Sequence, residues 1–381
     1  MTRTIVDVHI LQTVPPSNLN RDDTGSPKTA TYGGVRRARV SSQAWKRATR
    51  SAFRDYLDES ELGTRTKRVV ELLAERIEAL TPDASTEAAQ AAAGDVLTAA
   101  GIVVKEPRGK KGAPPESGYL LFLSAEQIDA LAAVAADTMA NGGKPYKKRA
   151  QALVKGKNSI DLALFGRMVA DVTDLNVDAS CQVAHALSTH AVETEYDYFT
   201  AVDDHKAADA EEDAGAGMIG TVEFNSATLY RYATIDVDLL ARNLGDHEAA
   251  ARAVRAFLQA FTRSMPTGKQ NTFANRTLPD AVVVFVREDQ PVSYVGAFEE
   301  AVPDTLDGGR CLRSTERLAE YAGAVTEAYG GEPVKAWVAG VGSVAAPLEA
   351  IGERAGFDAA VDAVTALVRE RLIAGAGHVS A

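Results

Sequence analysis

Residues 18–30 read NLNRDDTGSPKTA, and residues 32–50 read YGGVRRARVSSQAWKRATR. The first segment is polar and contains a glycine and a proline, so it predicts a loop. The short basic segment 35–40 predicts a strand, and Ser41 is a favourable N-cap residue for a helix that follows it. A basic loop, strand and helix in succession therefore organise the start of the fold.

The predicted helix has one apolar face and one basic face at helical spacing. The apolar face consists of Trp45, Ala48, Ala52 and Tyr56. The basic face consists of Lys46, Arg50 and Arg54, with Arg47 beside it. Free N–H groups and the positive dipole end at the start of a helix favour phosphate, so this helix predicts an anion site.

The composition is that of a globular protein with ample material for a core, at 46% hydrophobic and 24% charged residues. A length of 381 residues predicts two domains, or one domain with a large insertion. No signal-peptide pattern and no apolar run of membrane-spanning length is found, so no membrane partner is expected. Two cysteines imply no disulfide framework, and the expected compartment is the cytoplasm.

The charge is distributed unevenly along the chain. The whole chain carries −11, whereas residues 1–54 hold ten basic and three acidic residues, which leaves −18 for the remainder. Such asymmetry indicates a local anion site on an acidic body. The alternative is a solvated basic helix, and the residues by themselves favour neither interpretation.

The remaining periodicity predicts a helical insertion between two parts of a sheet. Helices are expected over residues 62–80, 86–100, 124–139, 246–264, 315–329 and 357–373. Strands are expected over residues 3–14, 161–168, 179–192, 196–202, 221–236, 281–287 and around 337. Ser124 and Gln127 form a predicted capping box, and the acidic segment 203–217 predicts a hairpin tip. This order is compatible with an α+β fold whose four-stranded antiparallel sheet is backed by two helices.

The segments LNRDD (19–23), YGG (32–34), RARVSSQ (37–43) and WKRA (45–48) resemble the CasC family. CasC is the multi-copy backbone subunit of Cascade, the type I-E CRISPR surveillance complex. The resemblance implies an RNA-recognition-motif-like (ferredoxin-like) palm in residues 1–60 and 179–381, which includes a thumb hairpin at about 193–224. It assigns residues 61–178 to helical fingers.

The same resemblance implies a non-catalytic protein without a cofactor that takes part in antiviral defence. Several copies would polymerise head-to-tail along one CRISPR RNA and present the guide in segments for pairing with target DNA. The other expected partners are the remaining Cascade subunits and a recruited helicase-nuclease that acts on the complex.

Residues that match the RNA contacts of the family come from the basic loop, strand and helix, from the thumb and from a later loop. They are Arg21, Lys28, Arg39, Ser41, Gln43, Lys46, Arg47, Arg50, Met168, Tyr198, Phe199, Thr200, Val202, Lys269 and Gln270. The basic residues in this set are, by themselves, typical of a surface that binds phosphates without recognising bases. Adjacent aromatics on a strand point to opposite faces, so one thumb aromatic is free to contact a base; the alternative is that both are packed.

Charge alone predicts a second surface, on the insertion, for contact with target DNA. Its residues are Lys110, Lys111, Lys144, Lys147, Lys148 and Arg149.

Several other motifs resemble functional sites. Asp22 and Asp23 next to a phosphate track are compatible with Mg²⁺-dependent RNA cleavage, and the alternative is a loop cap. Residues 267–270 lack the upstream glycine and the Ser/Thr of a P-loop, and residues 215–220 precede a strand where a dinucleotide fingerprint precedes a helix. His185 and His190 have no Cys or Asp cluster beside them, so no metal site is expected.

Overall fold

A computed structural model describes residues 3–107, 109, 112–169, 172–201, 218–305 and 309–377. The strands are β1 Ile5–Ser17, β2 Thr29–Tyr32, β3 Val35–Val40, β4 Gly63–Thr66, β5 Val104–Lys105, β6 Glu116–Ser117, β7 Leu121–Ser124, β8 Cys181–Val183, β9 Ala186–Ser188, β10 Glu195–Ala201, β11 Met218–Asp236, β12 Ala281–Arg287, β13 Lys335–Gly340 and β14 Glu353–Arg354. The helices are α1 Ser42–Ala52, α2 Val69–Leu80, α3 Thr86–Ala99, α4 Ala125–Asn141, α5 Lys147–Lys155, α6 Ile160–Phe165, α7 Val237–Leu244, α8 His247–Arg263, α9 Gln270–Phe273, α10 Arg310–Tyr329 and α11 Phe357–Gly377.

One ten-stranded sheet dominates this α+β fold, in the order β14-β13-β12-β1-β11-β9-β3-β2, with β8 and β10 also paired to β11. Its pairings are antiparallel, except that β13 and β14 run parallel. At the centre, β1 pairs with β11 from Ile5 to Ser17 and with β12 from Ile5 to Leu11. Because both faces of the sheet are covered, β1 is buried almost without alternation.

Two hydrophobic clusters cover the two faces of the sheet. On one face α1, α6, α7, α8 and α11 pack around Trp45, Phe257 and Phe261. On the other face α10 and the 3₁₀ segments Val295–Phe298 and Gly342–Ala350 complete the core. The sheet is therefore the middle of three layers. At the end of the sheet where β1 terminates, loops meet at the surface.

A third hydrophobic cluster lies within the helical unit formed by α2 to α5 and the strands β4 to β7. Its buried members extend from Val69 to Leu175 and include Leu73, Ile77 and Leu131. This unit has a core of its own, separate from the two cores of the sheet.

Several predicted elements are confirmed. Ser41 caps α1 with its side chain, and Ser124 and Gln127 form the capping box of α4. The strand 281–287 and the helix predicted over 246–264 are present with nearly the predicted bounds. These features depend on neighbours within four residues, which is why local sequence was sufficient to predict them.

Other predictions are wrong. The segment 161–168 was expected to be a strand, but Ile160–Phe165 is a helix; a short buried apolar run fits both conformations. The helix expected from residue 62 begins only at Val69, because Gly63–Thr66 pairs with β7. The single strand expected over 179–192 is split into β8 and β9.

The buried face of α1 also differs from the prediction. Trp45 and Thr49 are buried, and Phe53 follows them into the core, whereas Ala48 faces the surface. The hydroxyl of Thr49 donates to the carbonyl of Trp45 at 2.9 Å. A threonine can occupy the core position because its only polar group is satisfied within the helix.

His190 predicts a dependence of stability on pH. Its Nε2 accepts the N–H of Thr228 at 3.1 Å, and its Nδ1 lies 2.8 Å from the carbonyl of Ala191. Burial lowers the pKa of His190 to about 4, below its ordinary value of 6.5. Since the folded protein resists protonation, we expect stability to be complete above pH 6.5 and to decrease by up to about 1.4 kcal/mol per pH unit down to about pH 4.

Urea unfolding between pH 7 and pH 4.5 measures this slope. His190→Gln is expected to unfold with a shallower pH dependence than the unsubstituted chain. His247→Gln, at an exposed position at the start of α8, serves as the control and is expected to leave the slope unchanged. Parallel slopes for the chain and for His190→Gln would contradict the prediction.

Candidate nucleic-acid interface

A groove of about 1060 Å³ opens at the end of the sheet where β1 terminates. Its walls are the loop that follows β1, the exposed side of α1 and the loop that follows α8. Five of the predicted RNA-contacting residues line it, namely Arg21, Lys28, Ser41, Gln43 and Arg47.

Hydrogen bonds of Asn20 hold the loop that follows β1 against the start of α1. Its Oδ1 accepts the N–H of Ser41, and its carbonyl accepts the N–H of Lys28, both at 2.9 Å. The side chain of Asn18 donates to the carbonyls of Gly25 and Glu223, also at 2.9 Å. The loop that carries the basic residues is therefore bonded both to α1 and to β11.

The first N–H groups of α1 are already used within the protein, which corrects the expectation that they are free for phosphate. The N–H of Ser42 donates to Nδ1 of His185 at 3.2 Å, and the N–H of Gln43 donates to the hydroxyl of Ser41 at 3.3 Å. Burial, with Arg39 and Lys28 nearby, lowers the pKa of His185, and the hydrogen bond from the N–H of Ser42 makes its Nδ1 an acceptor. An anion in the groove therefore has to be bound by side chains.

The second loop lies directly against the first. A side chain at Gly268 would clash with the carbonyl oxygen of Leu19, so the close approach requires a glycine. Met265 is anchored through its sulfur, which accepts the side-chain amide of Gln12 at 3.3 Å and the N–H of Thr277 at 3.4 Å. The next residue after the glycine, Lys269, has a left-handed φ of 50°, a conformation that costs energy for a lysine and is often found at binding sites.

Arg276 was missed by sequence reasoning, and the structure places it on this second wall. Its sequence neighbourhood, a lone arginine in a polar loop, carries no signal that distinguishes it. Lys269 and Gln270, which were predicted, belong to the same loop, and Gln270 begins α9.

The cations of the groove have no acidic partners within the described part of the chain. Arg21, Arg47 and Arg276 are exposed and Lys28 is half-buried, and none of them forms an ion pair with a described residue. Four such cations outnumber the three carboxylates that line the groove, so the balance of charge favours an anionic ligand.

Three carboxylates also line the groove, and Asp22 has an evident structural role. Its Oδ1 accepts the hydroxyl of Thr24 at 2.7 Å and the N–H groups of Thr24 and Ser26 at 3.0 Å. The Thr24 hydroxyl, followed by the backbone N–H groups, lowers the pKa of Asp22. Among the described residues, no group of three or more His, Cys, Asp or Glu side chains could hold a metal ion.

The cations on the predicted basic face of α1 lie in two different environments. Arg50 donates to Asp161 at 2.7 Å and to the carbonyl of Gly63 at 2.8 Å, and its guanidinium lies over Phe122. Lys46 lies over the ring of Phe165. Arg50 thus joins α1 to the helical unit, and among these cations of α1 it is Arg47 that lines the groove.

Arg39 lies beside the groove and is held by local contacts. Its Nε donates to the carbonyl of Thr29 at 3.2 Å, and its Nη1 is 3.5 Å from Nδ1 of His185.

The hairpin of β10 and β11 extends from the sheet next to the groove. Tyr198 and Thr200 share one face of β10 by strand alternation, and Tyr198 is 63% exposed. Phe199 points to the other face and lies over Gly220 of β11, where a side chain would clash with its ring. Val202 and residues 203–217 fall outside the described residues.

Met168 is 89% exposed at the end of a tightly held loop. The preceding residue, Arg167, is buried and donates to the carbonyls of Leu175 at 2.6 Å and of Phe122 and Val154 at 3.0 Å. The flexible apolar side chain of Met168 is therefore exposed to solvent, while hydrogen bonds of Arg167 hold the loop that carries it.

The start of α5 carries a second set of cations. Lys144, Lys147, Lys148 and Arg149 are exposed and form no ion pair with the part of the chain that the structure describes. Cations in the first turn of a helix oppose its dipole, so this arrangement costs stability and favours a bound anion. The predicted residues Lys110 and Lys111 lie outside the described residues.

These features define an α+β protein with a central sheet, a separate helical unit and a cationic groove between two loops. The chain belongs to the CT1975-like protein family, whose model matches residues 6–363. No curated protein matches it. No helix in the described ranges is long and apolar enough to span a membrane.

Solved structures with similar chains include the following two. One, titled "CRISPR RNA-guided surveillance complex, pre-nicking", has a chain 36% identical to this one, with a TM-score of 0.83. The match covers 96% of this chain and 100% of that chain. The other, titled "CRISPR RNA-guided surveillance complex", has a chain 32% identical with a TM-score of 0.73, over 95% and 99% of the two chains.

Proposed function

We propose that the chain is a CRISPR RNA-binding backbone subunit of a type I-E surveillance complex, corresponding to CasC. The observation that carries the proposal is the groove, whose two loops and α1 together supply four cations without acidic partners among the described residues. The similarity to chains of CRISPR RNA-guided surveillance complexes supports it over nearly the whole length of the chain. Such a subunit would act in the cytoplasm, in antiviral defence.

The strand order supports the proposed RNA-recognition-motif-like palm. In the chain, β1 and α1 are followed by β8 and β9, then β11, α8 and β12, and in the sheet these strands lie in the order β12-β1-β11-β8/β9. That is the fourth-first-third-second order of a ferredoxin-like sheet with two crossover helices. The helical unit corresponds to the fingers and the hairpin of β10 and β11 to the thumb.

In this proposal the groove holds the RNA backbone by charge. Arg21, Lys28, Arg47 and Arg276 would neutralise phosphates from the two loops and α1 without reading bases. The exposed thumb aromatics and Met168 are available to separate neighbouring nucleotides, so that the guide pairs with target DNA in short segments. Copies would follow one another along the RNA through a heterologous, non-closing contact, beside the other subunits and the recruited helicase-nuclease.

The subunit is proposed to be non-catalytic, although the loop of Asp22 and Asp23 lies at the groove. The hydrogen bonds of Asp22 to Thr24 and Ser26 support a role for this residue in holding the loop. Cleavage would require Mg²⁺ ligands from elsewhere to converge on the two residues.

Loading of the purified protein onto RNA tests the function. Complex mass and RNA integrity would be measured across a salt series, with and without Mg²⁺. We expect stepwise, length-dependent loading on intact RNA that weakens with salt. Cut RNA that depends on Mg²⁺ and on Asp22 or Asp23 would replace the proposal with a nuclease. Absence of binding at low salt, both alone and after coexpression with the other subunits, would overturn it.

The cations at the start of α5 are proposed to contact target DNA. Lys147→Ala/Lys148→Ala/Arg149→Ala is expected to weaken DNA binding by the assembled complex roughly a hundredfold, since each of the three charged contacts contributes about 1 kcal/mol. The loading of guide RNA should stay unchanged. Lys155→Ala/Lys157→Ala, whose ammonium groups already pair with Asp174 and Glu126, is the control. Unchanged DNA affinity in the triple variant would contradict this assignment.

A further inference from the structure

An exposed aromatic ring lies within the cluster of cations at the start of α5. Tyr146 stands between Lys144 and Lys147 in the sequence, separated from Lys144 by one proline, and is 66% exposed. Lys148 and Arg149 follow directly, and no acidic residue occurs between positions 137 and 161. We call Lys144, Tyr146, Lys147, Lys148 and Arg149 the α5 surface.

The backbone that carries this ring is held in place. The carbonyl of Tyr146 accepts the N–H of Ala150 at 3.1 Å, and Ala150 is fully buried in the core of the helical unit. Pro145 fixes its own φ and restricts Lys144 to extended conformations. Because this segment has little conformational freedom left to lose, binding a ligand there costs less entropy.

The cations of the α5 surface are available to an anionic ligand. Its four cations form no ion pair with any residue in the described ranges. Farther along the same segment the situation differs, since Lys155 pairs with Asp174 and Lys157 pairs with Glu126. The unpaired positive charge is therefore concentrated around the ring of Tyr146.

Exposure of a ring does not by itself indicate a ligand, as a comparison with Tyr329 shows. Tyr329 is 87% exposed at the end of α10, but its nearest charged neighbours in the sequence are Glu327 and Glu332. Single exposed apolar side chains of this kind are common on protein surfaces. Tyr146 differs because cations flank it on both sides, and a ring beside cations matches the two parts of a nucleotide, a flat base and a phosphate.

Stacking on the ring requires a base whose face is free. In a duplex each base is covered by its neighbours, and bringing one out of the stack costs free energy. In a single strand the bases are available to aromatic side chains, and such stacking tolerates any sequence because every base has a flat π-face. The ring therefore favours an unpaired strand, whereas the cations alone bind either form through its phosphates.

We propose that Tyr146 stacks on a base of unpaired DNA, with the cations of the α5 surface on the adjoining phosphates. The inference rests on the proposed function, in which these cations contact DNA, and it specifies the form of that DNA. Stacking without sequence preference suits a protein whose guide RNA supplies the sequence specificity through base pairing.

Binding of DNA that cannot pair with the guide tests this inference. The RNA-loaded protein is titrated with a fluorescent single strand, with an abasic single strand and with a duplex of the same length, none of them complementary to the RNA. Tyr146→Ala is expected to weaken binding of the single strand roughly tenfold and to leave binding of the abasic strand and the duplex unchanged. Tyr146→Phe keeps the ring and should bind the single strand as the unsubstituted chain does.

The salt dependence of binding separates stacking from charge. Tyr146→Ala removes no charge, so the slope of log affinity for the single strand against log salt should stay unchanged. Lys147→Ala/Lys148→Ala/Arg149→Ala should reduce that slope by about 2. Tyr329→Ala, at an exposed tyrosine beside acidic residues, is the matched control and should keep the affinity of the unsubstituted chain.

Two results would overturn the inference. One is an unchanged affinity of Tyr146→Ala for the single strand, and the other is an equal loss on the abasic strand. Unchanged DNA affinity in the triple cation variant would instead contradict the proposed DNA contact of these cations. Failure of the unsubstituted chain to load on guide RNA would contradict the proposed function itself, so the failures are distinguishable.

Discussion

Alanine at Arg21, Lys28, Arg47 and Arg276 together is expected to weaken RNA binding on the order of a thousandfold at about 0.15 M salt, because charged contacts to phosphate contribute about 1 kcal/mol each. The four side chains line one groove and form no ion pair with a described residue, so their removal disturbs little of the folded structure. The effect should therefore fall on binding and leave the thermal unfolding temperature nearly unchanged.

The salt dependence of binding distinguishes this explanation from a general loss of charge. For single-stranded nucleic acid each neutralised phosphate contributes about 0.7 to the slope of log affinity against log salt, so the quadruple variant should lose a slope of about 3. The control variant carries alanine at Arg255, Arg263, Arg354 and Arg369. It changes the net charge by the same amount, but these four arginines already pair with carboxylates. If both variants lose affinity to the same extent, the groove is not the site.

Asp7→Ala is expected to lower the free energy of unfolding by about 3–5 kcal/mol, because it leaves a buried cation without its partner. Asp7 lies 3.1 Å from the Nε of Arg287, with both side chains almost fully buried in the sheet. It also accepts the hydroxyl of Tyr232 and the N–H of Val292, each at 3.0 Å. One substitution therefore removes the acceptor of three donors, two of them buried and the third, the N–H of Val292, half-buried.

Denaturant unfolding at pH 7 measures this effect. The control is Asp362→Ala, which removes a carboxylate paired with Arg255 at the surface and should cost less than about 1 kcal/mol. Equal destabilisation by the two variants would show that burial does not control the strength of the Asp7 interaction. Asp7→Ala is far from the groove loops, so any folded fraction should still bind RNA.

Local sequence was sufficient where the deciding contacts are within a few residues. The caps at Ser41 and Ser124 and the buried strand 281–287 follow from side chains that bond or alternate with near neighbours. The basic loop of residues 18–28 was predicted as part of an anion site from its charge and its resemblance to the CasC family, and this remains a prediction; in the structure Arg21 and Lys28 of this loop line the groove.

Tertiary structure decided which cations reach the groove. Arg47 and Arg50 are three residues apart on one helix, yet Arg47 lines the groove and Arg50 pairs with Asp161, 111 residues later in the chain. Arg276 enters the site because Gly268 lets a distant loop lie against Leu19. The same holds for the helix Ile160–Phe165. When two interacting side chains are more than 100 residues apart in sequence, the packing of the layers decides whether they meet. The hydrophobic period of an amphipathic helix shows which of its residues are polar, but not which of these polar residues contacts a distant part of the chain.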